Sequence, residues 1–457
     1  MKQRIQGIII GILIMVIIFS SINIFAALPE TTRRTIEVDY GYNLYMDGEL
    51  FAPKSRDETI ELFNYKGWIW APFEHIVSAF GGNARWESNT RSLFVTTKTA
   101  SDVVQEMGAG WNLGNTLDSI DNRKRGIVSG LRDNIPAAAF YETYWGNPVT
   151  TPEMIASVAE MGFGAVRVPV TWSDHLDEDF NIRLEWLARV EEIVNYVLDN
   201  DMYCIINLHH DTGSGSWPWL RADPDKIEWM EEKLAKVWTQ IAEHFKYYSH
   251  RLLFESFNEI LDVDSRWGNP DRESLRAVNR LNQVFVNTVR STGSNNAERF
   301  LVVKPYAART SADLLDAFKI PEDSVKDKLI LGVHVYGEAG FIANPNWTAV
   351  YSDWDRVRDG HIIEERLQKL ADNFLKNGFP VIITEYGAVN KNNTVDRINY
   401  AVHFAETAKQ YGIAGFWWDD GGRAENAEFV ENHALFDRYR NRWFFPEIAE
   451  AIVNAAR

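Results

Sequence analysis

Eight short apolar runs recur between residues 108 and 418, and each leads into a polar or aromatic segment and then a helical pattern. Apolar runs without strict alternation are typical of strands buried on both faces, and strands that alternate with helices favour a parallel sheet. Eight such units predict an α/β fold of the (β/α)8 barrel type over residues 101–457. The predicted strands are Gly108–Trp111, Ala165–Val168, Tyr203–Asn207, Leu252–Glu255, Phe300–Val303, Leu329–His334, Val381–Thr384 and Gly415–Trp418.

Helical stretches separate these runs, and the one after residue 151 has the clearest boundaries. Thr151 suits the N-cap, Pro152 suits the first turn, and Gly162 suits the position that ends a helix. The predicted helices are Pro152–Met161, Leu184–Asp199, Ile227–Tyr247, Leu275–Thr292, Ile362–Asn377 and Val395–Tyr411.

Six of the predicted strands end in polar or aromatic residues. The C-terminal strand ends of such a barrel share one mouth, whereas its interior is packed with side chains. A single polar strand end is most often structural, but six that converge indicate a functional site. These ends are Val166-Arg167-Val168-Pro169, Asn207-Leu208-His209-His210-Asp211, Asn258-Glu259, Val333-His334-Val335-Tyr336, Thr384-Glu385 and Trp417-Trp418-Asp419.

Two of these ends carry a glutamate, Glu259 and Glu385. Glycoside hydrolysis needs one carboxylic acid to protonate the leaving oxygen and one carboxylate to support an oxocarbenium-like carbon. The two groups must differ in pKa, so their environments must differ. Arg167 is suited to keep Glu385 ionised. Asn258 is suited to donate to the sugar hydroxyl next to the reacting carbon.

Three further strand-end residues suit positioning roles. His334 and Tyr336 are placed to orient the nucleophile, and Trp418 offers a flat apolar face for a sugar ring.

A metal-dependent hydrolase is an alternative, because His209, His210 and Asp211 follow one strand. Metal-dependent barrels usually place two histidine ligands at alternate positions of a strand, whereas adjacent residues point to opposite faces. The spacing therefore argues against a catalytic metal, and we expect neither metal nor cofactor.

Composition restricts the classes of partner. The 457 residues carry a formal net charge of -17, and no Lys/Arg-rich run follows the extreme N-terminus, so nucleic acid is a poor candidate. The 17 Trp residues suit flat sugar faces as well as a large core. Cys204 is the sole cysteine and lies in an apolar run, which excludes an intrachain disulfide and predicts a buried thiol.

The first 27 residues have the pattern of an export signal. Lys2 and Arg4 precede the apolar stretch 7–19, and Phe25-Ala26-Ala27 supplies small residues for cleavage. The apolar character extends to about Ala27, so an uncleaved membrane anchor is the alternative. Either way we expect the rest of the chain to be secreted or held at the cell surface.

Residues 28–100 have shorter, alternating segments and predict a small β-rich α+β module. Asp47-Gly48 suits a two-residue hairpin turn, and Phe73–Phe80 predicts a short helix. The module also contains Tyr45-Met46-Asp47-Gly48, Trp70-Ala71-Pro72-Phe73, Phe80-Gly81-Gly82 and Trp86. With these segments it resembles the copper amine oxidase N-terminal-like domain of secreted bacterial proteins. His75 is its single histidine, so we expect no copper site.

An ordered set of motifs spans residues 105–450. They are Gly110-Trp111-Asn112-Leu113-Gly114-Asn115-Thr116-Leu117-Asp118, Glu142 with Trp145-Gly146-Asn147-Pro148, Arg167-Val168-Pro169-Val170-Thr171-Trp172, Leu208-His209-His210, Phe257-Asn258-Glu259, His334-Val335-Tyr336, Thr384-Glu385-Tyr386-Gly387 and Trp417-Trp418-Asp419. Together, rather than singly, these motifs resemble glycoside hydrolase family 5, the cellulase A family.

The resemblance implies that Glu259 is the acid/base and Glu385 the nucleophile. It also implies that Arg167, His209, Asn258, His334, Tyr336 and Trp418 complete the site. His210 either braces the site or supports its loop. Trp111, Trp172, Trp217 and Trp219 lie in or after segments that face the mouth, where packing in the core and stacking on sugar are both open.

The activity implied is that of a secreted, monomeric, retaining endo-β-1,4-glucanase acting on cellulose-like or mixed-linkage β-glucan. A xyloglucan-specific enzyme, a mannanase or a xylanase on the same fold is the alternative. A carbohydrate-binding surface protein without catalysis is a more remote one, which the presence of both glutamates disfavours.

Overall fold

The computed structural model describes residues 98–121, 138–343, 351–421 and 432–457, together with short strands and single positions between 39 and 97. The chain divides into two compact units, one of Met1–Ser78 with Asn83–Thr96 and the other of Ala79–Gly82 with Thr97–Arg457. The predicted leader at residues 1–27 lies outside the described residues, as does the predicted helix Phe73–Phe80 apart from Val77.

The first unit is built from short antiparallel strands. One sheet has three strands, Asp39–Tyr42, Leu62–Tyr65 and Trp68–Trp70. Leu44–Met46 pairs with Glu49–Phe51, so the strands on both sides of Asp47-Gly48 form the predicted hairpin. The two remaining pairs are Lys54–Ser55 with Glu58–Thr59 and Gly82–Glu87 with Ser92–Thr97.

The second unit contains a closed barrel of eight parallel strands in sequential order, which confirms the predicted fold. Its first strand pairs with both its second and its eighth, and this closes the sheet. The strands are β1 (Ala109–Leu113), β2 (Ala165–Val168), β3 (Tyr203–Asn207), β4 (Leu252–Glu255), β5 (Leu301–Val303), β6 (Leu329–His334), β7 (Val381–Tyr386) and β8 (Ala414–Asp419); a later hairpin joins β9 (Phe436–Asp437) to β10 (Arg442–Trp443).

Helices follow the strands and cover the barrel. The α-helices are α1 (Ala100–Met107), α2 (Pro152–Met161), α3 (Leu184–Leu198), α4 (Ile227–His244), α5 (Arg272–Ser291), α6 (Ala312–Ala317), α7 (Ala339–Ile342), α8 (Arg356–Asn373), α9 (Thr394–Gln410) and α10 (Pro446–Ala456). Short 3-10 turns occur at Ala138–Thr143, Ser173–His175, Pro224–Lys226, Ser294–Ala297, Tyr306–Ala308 and Leu375–Asn377. None of the helices in the described part of the chain is long and apolar enough to span a bilayer.

The core has two layers. One lies between the strands and the outer helices, and it includes the fully buried Cys204 of β3, as predicted. The other fills the barrel itself and includes Val103, Met107 and Phe416, so α1 packs on the barrel interior. A Cβ at Gly110 would lie 2.3 Å from the Phe416 ring, which explains the glycine in β1. Because the interior is packed with side chains, the site lies at the C-terminal strand ends.

Candidate active site

Arg167 of β2 is fully buried, and its side chain joins four strands or strand ends. Its Nε and Nη2 donate to the two carboxylate oxygens of Glu255 at 3.0 and 2.8 Å. Its Nη1 donates to Asn112 Oδ1 at 3.0 Å and to Glu385 Oε1 at 2.8 Å, and Nη2 also donates to Asn258 Oδ1 at 2.9 Å. All five N–H groups of the guanidinium are thereby used.

Glu255 is a buried counter-ion at the end of β4. Besides Arg167, it accepts a hydrogen bond from Asn207 Nδ2 at 3.0 Å and lies 3.3 Å from Lys304 Nζ. Burial opposes its ionisation, but Arg167 and Lys304 outweigh burial and hold the pKa of Glu255 below its usual value. A carboxylate held in this way is poorly suited to donate a proton, which separates Glu255 from Glu259.

Glu385 in β7 lies deeper than Glu259. A register shift pairs Val333 with Ile383 but His334 with Glu385, so Thr384 is the extra residue of a bulge. Tyr336 Oη donates to Glu385 Oε2 at 3.1 Å. Burial raises the pKa of the Glu385 carboxyl, although Arg167 and Lys304 lower it. Arg167 and Tyr336, two of the neighbours predicted for Glu385 from the sequence, both donate to its carboxylate.

His334 joins the two glutamates. Its Nδ1 lies 2.8 Å from Glu259 Oε1 and 3.4 Å from Glu385 Oε2. Its Nε2 lies 3.2 Å from Lys304 Nζ. Burial lowers the pKa of His334 well below its usual value, and the charges of Lys304 and Arg167 lower it further, so the ring is neutral. One oxygen of each glutamate and one ring nitrogen of His334 lie within 4.8 Å of one another.

Glu259 opens onto a cleft of about 1460 Å³ between the loops after β4, β5 and β6 and the helices α8 and α9. Its side chain is 27% exposed, whereas that of Glu385 is 8% exposed. Trp267, which is 41% exposed, and Arg309 line the same cleft. The two carboxyls therefore differ in access to solvent as well as in partners.

The tautomer of His209 follows from the orientation of Asn207. Asn207 Oδ1 accepts from the Val170 N–H at 3.1 Å and Nδ2 donates to Glu255, which fixes the amide. Asn207 Nδ2 also lies 3.2 Å from His209 Nδ1, so Nδ1 is the acceptor and Nε2 carries the hydrogen. In this tautomer Nε2 offers no lone pair to a cation.

His210 lies beside His209 rather than opposite to it. Both Nε2 atoms approach Asp118 Oδ2, at 3.9 Å from His209 and 3.8 Å from His210. The expectation that the two rings point to opposite faces is wrong, because β3 ends at Asn207 and strand alternation does not extend to residues 209 and 210. The His210 ring is flanked by Trp145 and Trp217, with centroids 5.1 and 5.8 Å away.

The tryptophans divide into groups. Trp418 is 6% exposed and its ring is parallel to that of His209, with centroids 5.8 Å apart. Trp111 and Trp172 are only 1% and 0% exposed, and their Nε1 groups donate to Asp419 Oδ2 and to the Asn207 carbonyl. Of the two alternatives left open for Trp111 and Trp172, their burial favours packing in the core, because neither ring has a face open to a sugar.

Trp217 and Trp219 are both half-buried in the loop after β3. Trp219 Nε1 donates to Asp211 Oδ1 at 2.7 Å, which anchors that loop. Trp217 lies next to His210, nearer to the histidine pair.

Comparison with known proteins assigns the family. The cellulase family, glycosyl hydrolase family 5, matches residues 132–423. The chain belongs to glycosyl hydrolase family 5. Endoglucanase A of Ruminococcus albus is 38% identical over 373 residues, which cover 80% of this chain and 95% of that protein. The cellulase/esterase CelE of Acetivibrio thermocellus is 41% identical over 364 residues, or 78% of this chain but only 40% of CelE.

Solved structures of other family 5 enzymes are also similar. A GH5-4 broad specificity endoglucanase from Ruminococcus champanellensis with bound cellotriose is 38% identical, with a TM-score of 0.71 over 78% of this chain and 98% of that one. PbGH5A from Prevotella bryantii, in complex with a xyloglucan tetradecasaccharide, is 34% identical, with a TM-score of 0.68 over 79% and 99% of the two chains.

Five buried polar residues of this family 5 hydrolase were not singled out from the sequence as site residues. Each stands within or just after an otherwise apolar strand or its loop, and that isolation was the available signal. They are Asn112, Asp118, Asn207, Glu255 and Lys304.

We predict that the acid limb of the activity profile is set by Glu385. The residue must be ionised to attack a sugar carbon, and burial raises its pKa above the ordinary 4.5, so activity falls as pH drops through that raised value. Measurement of kcat/KM against pH on a soluble β-glucan tests this. Tyr336→Phe removes a hydrogen bond to the carboxylate and should move the limb to still higher pH. A limb at or below 4.5 in the unsubstituted enzyme would contradict the assignment.

Proposed function

We propose that this family 5 hydrolase is a retaining endo-β-1,4-glucanase in which Glu385 is the nucleophile and Glu259 the acid/base. The observation that carries the proposal is the short separation of the two carboxyls: one carboxylate oxygen of Glu259 lies within 4.8 Å of one carboxylate oxygen of Glu385. Carboxyl groups ~5–5.5 Å apart suit a covalent intermediate, whereas inverting enzymes need ~6.5–9.5 Å to admit a water.

In the first step the Glu385 carboxylate attacks the anomeric carbon while Glu259 protonates the departing glycosidic oxygen. A glycosyl ester forms, the glycosidic bond breaks, and the proton leaves on the released sugar. In the second step Glu259 takes a proton from water, the water oxygen attacks the same carbon, and the ester to Glu385 breaks. Two displacements at one carbon retain its configuration.

The hydrogen bonds around the two glutamates indicate which atom of each side chain takes part in the reaction. Asn258 Oδ1 accepts from Arg167, so the Asn258 amide hydrogens are the group that a sugar hydroxyl would meet. Glu259 Oε1 lies 2.8 Å from His334 Nδ1; with the ring hydrogen on Nδ1, Oε1 accepts it and the acidic proton of Glu259 belongs on Oε2. Tyr336 and Arg167 each donate to one oxygen of Glu385 and stabilise its charge. Trp418, beside His209, is the proposed platform for the sugar ring.

The substrate class rests on named relatives together with the open cleft. The relatives are named as endoglucanases, a lichenase and a broad specificity endoglucanase. We therefore assign cellulose-like and mixed-linkage β-glucan as substrates. The complex of PbGH5A with a xyloglucan oligosaccharide supports xyloglucan as a second substrate.

The N-terminal region is assigned from its sequence pattern. Residues 1–27 direct export, either as a cleaved signal or as an anchor that holds a monomeric enzyme at the cell surface. Residues 28–100 form an accessory module that resembles the copper amine oxidase N-terminal-like domain.

Substitution of the nucleophile tests the central role. Glu385→Gln keeps the shape of the side chain but removes its charge, so turnover of a β-glucan should fall by more than about 10³-fold. Reducing-end release measures the loss, and circular dichroism checks the fold. Glu365→Gln, an exposed glutamate that lines the same cleft, is the matched control and should retain activity. Near-normal turnover by Glu385→Gln would remove it from its role.

Substitution of the acid separates the two roles. Glu259→Ala should lower kcat/KM on a natural glucan roughly 10²–10⁴-fold, because the leaving sugar then departs without a proton. A 2,4-dinitrophenyl β-cellobioside needs little protonation, so its kcat/KM should be spared. Equal losses on both substrates would assign Glu259 a different role.

A hydrolysis panel identifies the polysaccharide. Carboxymethylcellulose, barley β-glucan, xyloglucan, mannan and xylan are compared by reducing-end release and by product size. We expect rapid loss of chain length on the first two. Sugar binding without release on every polymer would favour a non-catalytic protein, and preference for mannan or xylan would contradict the glucanase assignment.

A further inference from the structure

Lys304 lies directly after β5, is fully buried, and lines the base of the active site. Its Nζ lies 2.5 Å from Thr384 Oγ1, 3.2 Å from His334 Nε2 and 3.3 Å from Glu255 Oε1. An ammonium group has three N–H donors, and these three atoms are acceptors, so each donor has a partner.

The barrel is shaped to admit this side chain. Gly332 in β6 leaves the space, since a Cβ there would lie 3.3 Å from Lys304 Cε and 2.6 Å from Val302 Cγ1. The bulge at Thr384 turns its hydroxyl towards Nζ, while that hydroxyl donates its own hydrogen to the Val333 carbonyl. The glycine makes room for Val302 as well as for Lys304, and the bulge places the Thr384 hydroxyl within hydrogen-bond distance of Lys304.

Neutralisation of the negative charge of Glu255 does not by itself explain why Lys304 is buried. Arg167 already binds both oxygens of Glu255, and Asn207 binds one of them. Burial of a charged amine costs free energy, and an apolar side chain of similar length would fill the space without that cost. The contact that Arg167 and Asn207 do not supply is the one to His334.

The contact to Lys304 fixes the tautomer of His334. A charged amine only donates, so His334 Nε2 must accept, and the single hydrogen of the neutral ring then lies on Nδ1. From Nδ1 it is donated to Glu259 Oε1 at 2.8 Å. With the other tautomer, a nitrogen lone pair would face the oxygens of both glutamates.

We propose that Lys304 is a positioning residue for the acid/base step. It holds His334 neutral with its hydrogen on Nδ1. That hydrogen keeps Glu259 Oε1 occupied and leaves Oε2 directed to the glycosidic oxygen. This inference rests on the roles proposed above for Glu259 and Glu385. Without Lys304, His334 turns a lone pair towards Glu259 or gains a proton. A protonated His334 would stabilise the Glu259 carboxylate and lower its pKa, so that less of Glu259 would carry the proton that the leaving oxygen needs.

Lys304→Met tests the proposal because methionine keeps the length and removes all three donors. We expect kcat/KM on barley β-glucan to fall on the order of 10- to 100-fold with little change in KM. On 2,4-dinitrophenyl β-cellobioside, which needs little proton donation, the fall should be less than about threefold. Lys328→Met is the matched control. Lys328 is also a buried lysine, but its Nζ donates to the Lys98 carbonyl, and among the described residues it has no contact with His334.

A second measurement reads the tautomer of His334 in the unsubstituted protein first. The unsubstituted protein, labelled with ¹⁵N in its ten histidines, should show a neutral His334 with hydrogen on Nδ1 at neutral pH, assigned by its loss in His334→Ala. In Lys304→Met the same signal should change tautomer or titrate at higher pH.

Two results would overturn the proposal. One is hydrogen on Nε2 of His334 in the unsubstituted protein. The other is equal loss on both substrates with the His334 signal unchanged, which would mean that Lys304 acts through Glu385 or the barrel. Absence of turnover of either substrate by the unsubstituted protein would instead contradict the proposed function, and the tautomer would still be readable.

Discussion

The site depends on one buried guanidinium. Arg167 donates its five N–H groups to Asn112 of β1, to Glu255 and Asn258 at the end of β4, and to Glu385 of β7. One side chain therefore fixes two positions: the guanidinium that pairs with Glu385 also orients the Asn258 amide next to Glu259. A planar fork with fixed donor directions makes this possible, and a lysine would not reproduce it.

The charges of the site are balanced in pairs, Arg167 and Lys304 against Glu255 and Glu385, in a region almost without solvent. Such networks are weak contributors to stability, because apolar replacements of buried ion pairs are often neutral or stabilising by about 1–4 kcal/mol. In this site the charge network affects the reactivity of the glutamates rather than the stability of the fold. It places Glu385 in an enclosed position next to two cations and leaves Glu259 partly exposed beside a neutral histidine, so two identical side chains have different electrostatic surroundings.

The fold and the proximity of Glu259 and Glu385 could be predicted from the sequence because the relevant signals are local. Eight apolar runs identify the strands, and the residue after each run identifies the mouth. Two features could not be predicted from local patterns: the direction of buried rings, and contacts between residues that are distant in the sequence. Trp111 and Trp172 stand next to mouth residues in the chain, but their rings turn into the core, where hydrogen bonds to Asp419 and the Asn207 carbonyl hold them. Position along the chain does not give ring direction.

The second feature concerns residues whose partners are distant in sequence. Lys304 and His334, whose side chains lie 3.2 Å apart, are separated by 30 positions in the sequence. Lys304 and Thr384 are separated by 80 positions, and their contact depends on a bulge that the sequence pattern does not predict. The convergence of His209 and His210 on Asp118 likewise depends on where β3 stops. These features are properties of the closed barrel rather than of any one segment.

The most direct test of the account is the identity of the residue that becomes glycosylated. Incubation with 2,4-dinitrophenyl 2-deoxy-2-fluoro-β-cellobioside, followed by proteolysis and mass spectrometry, should yield one labelled peptide with the sugar on Glu385. Label on Glu255 or Glu259, or an unlabelled enzyme that releases products of inverted configuration, would contradict it.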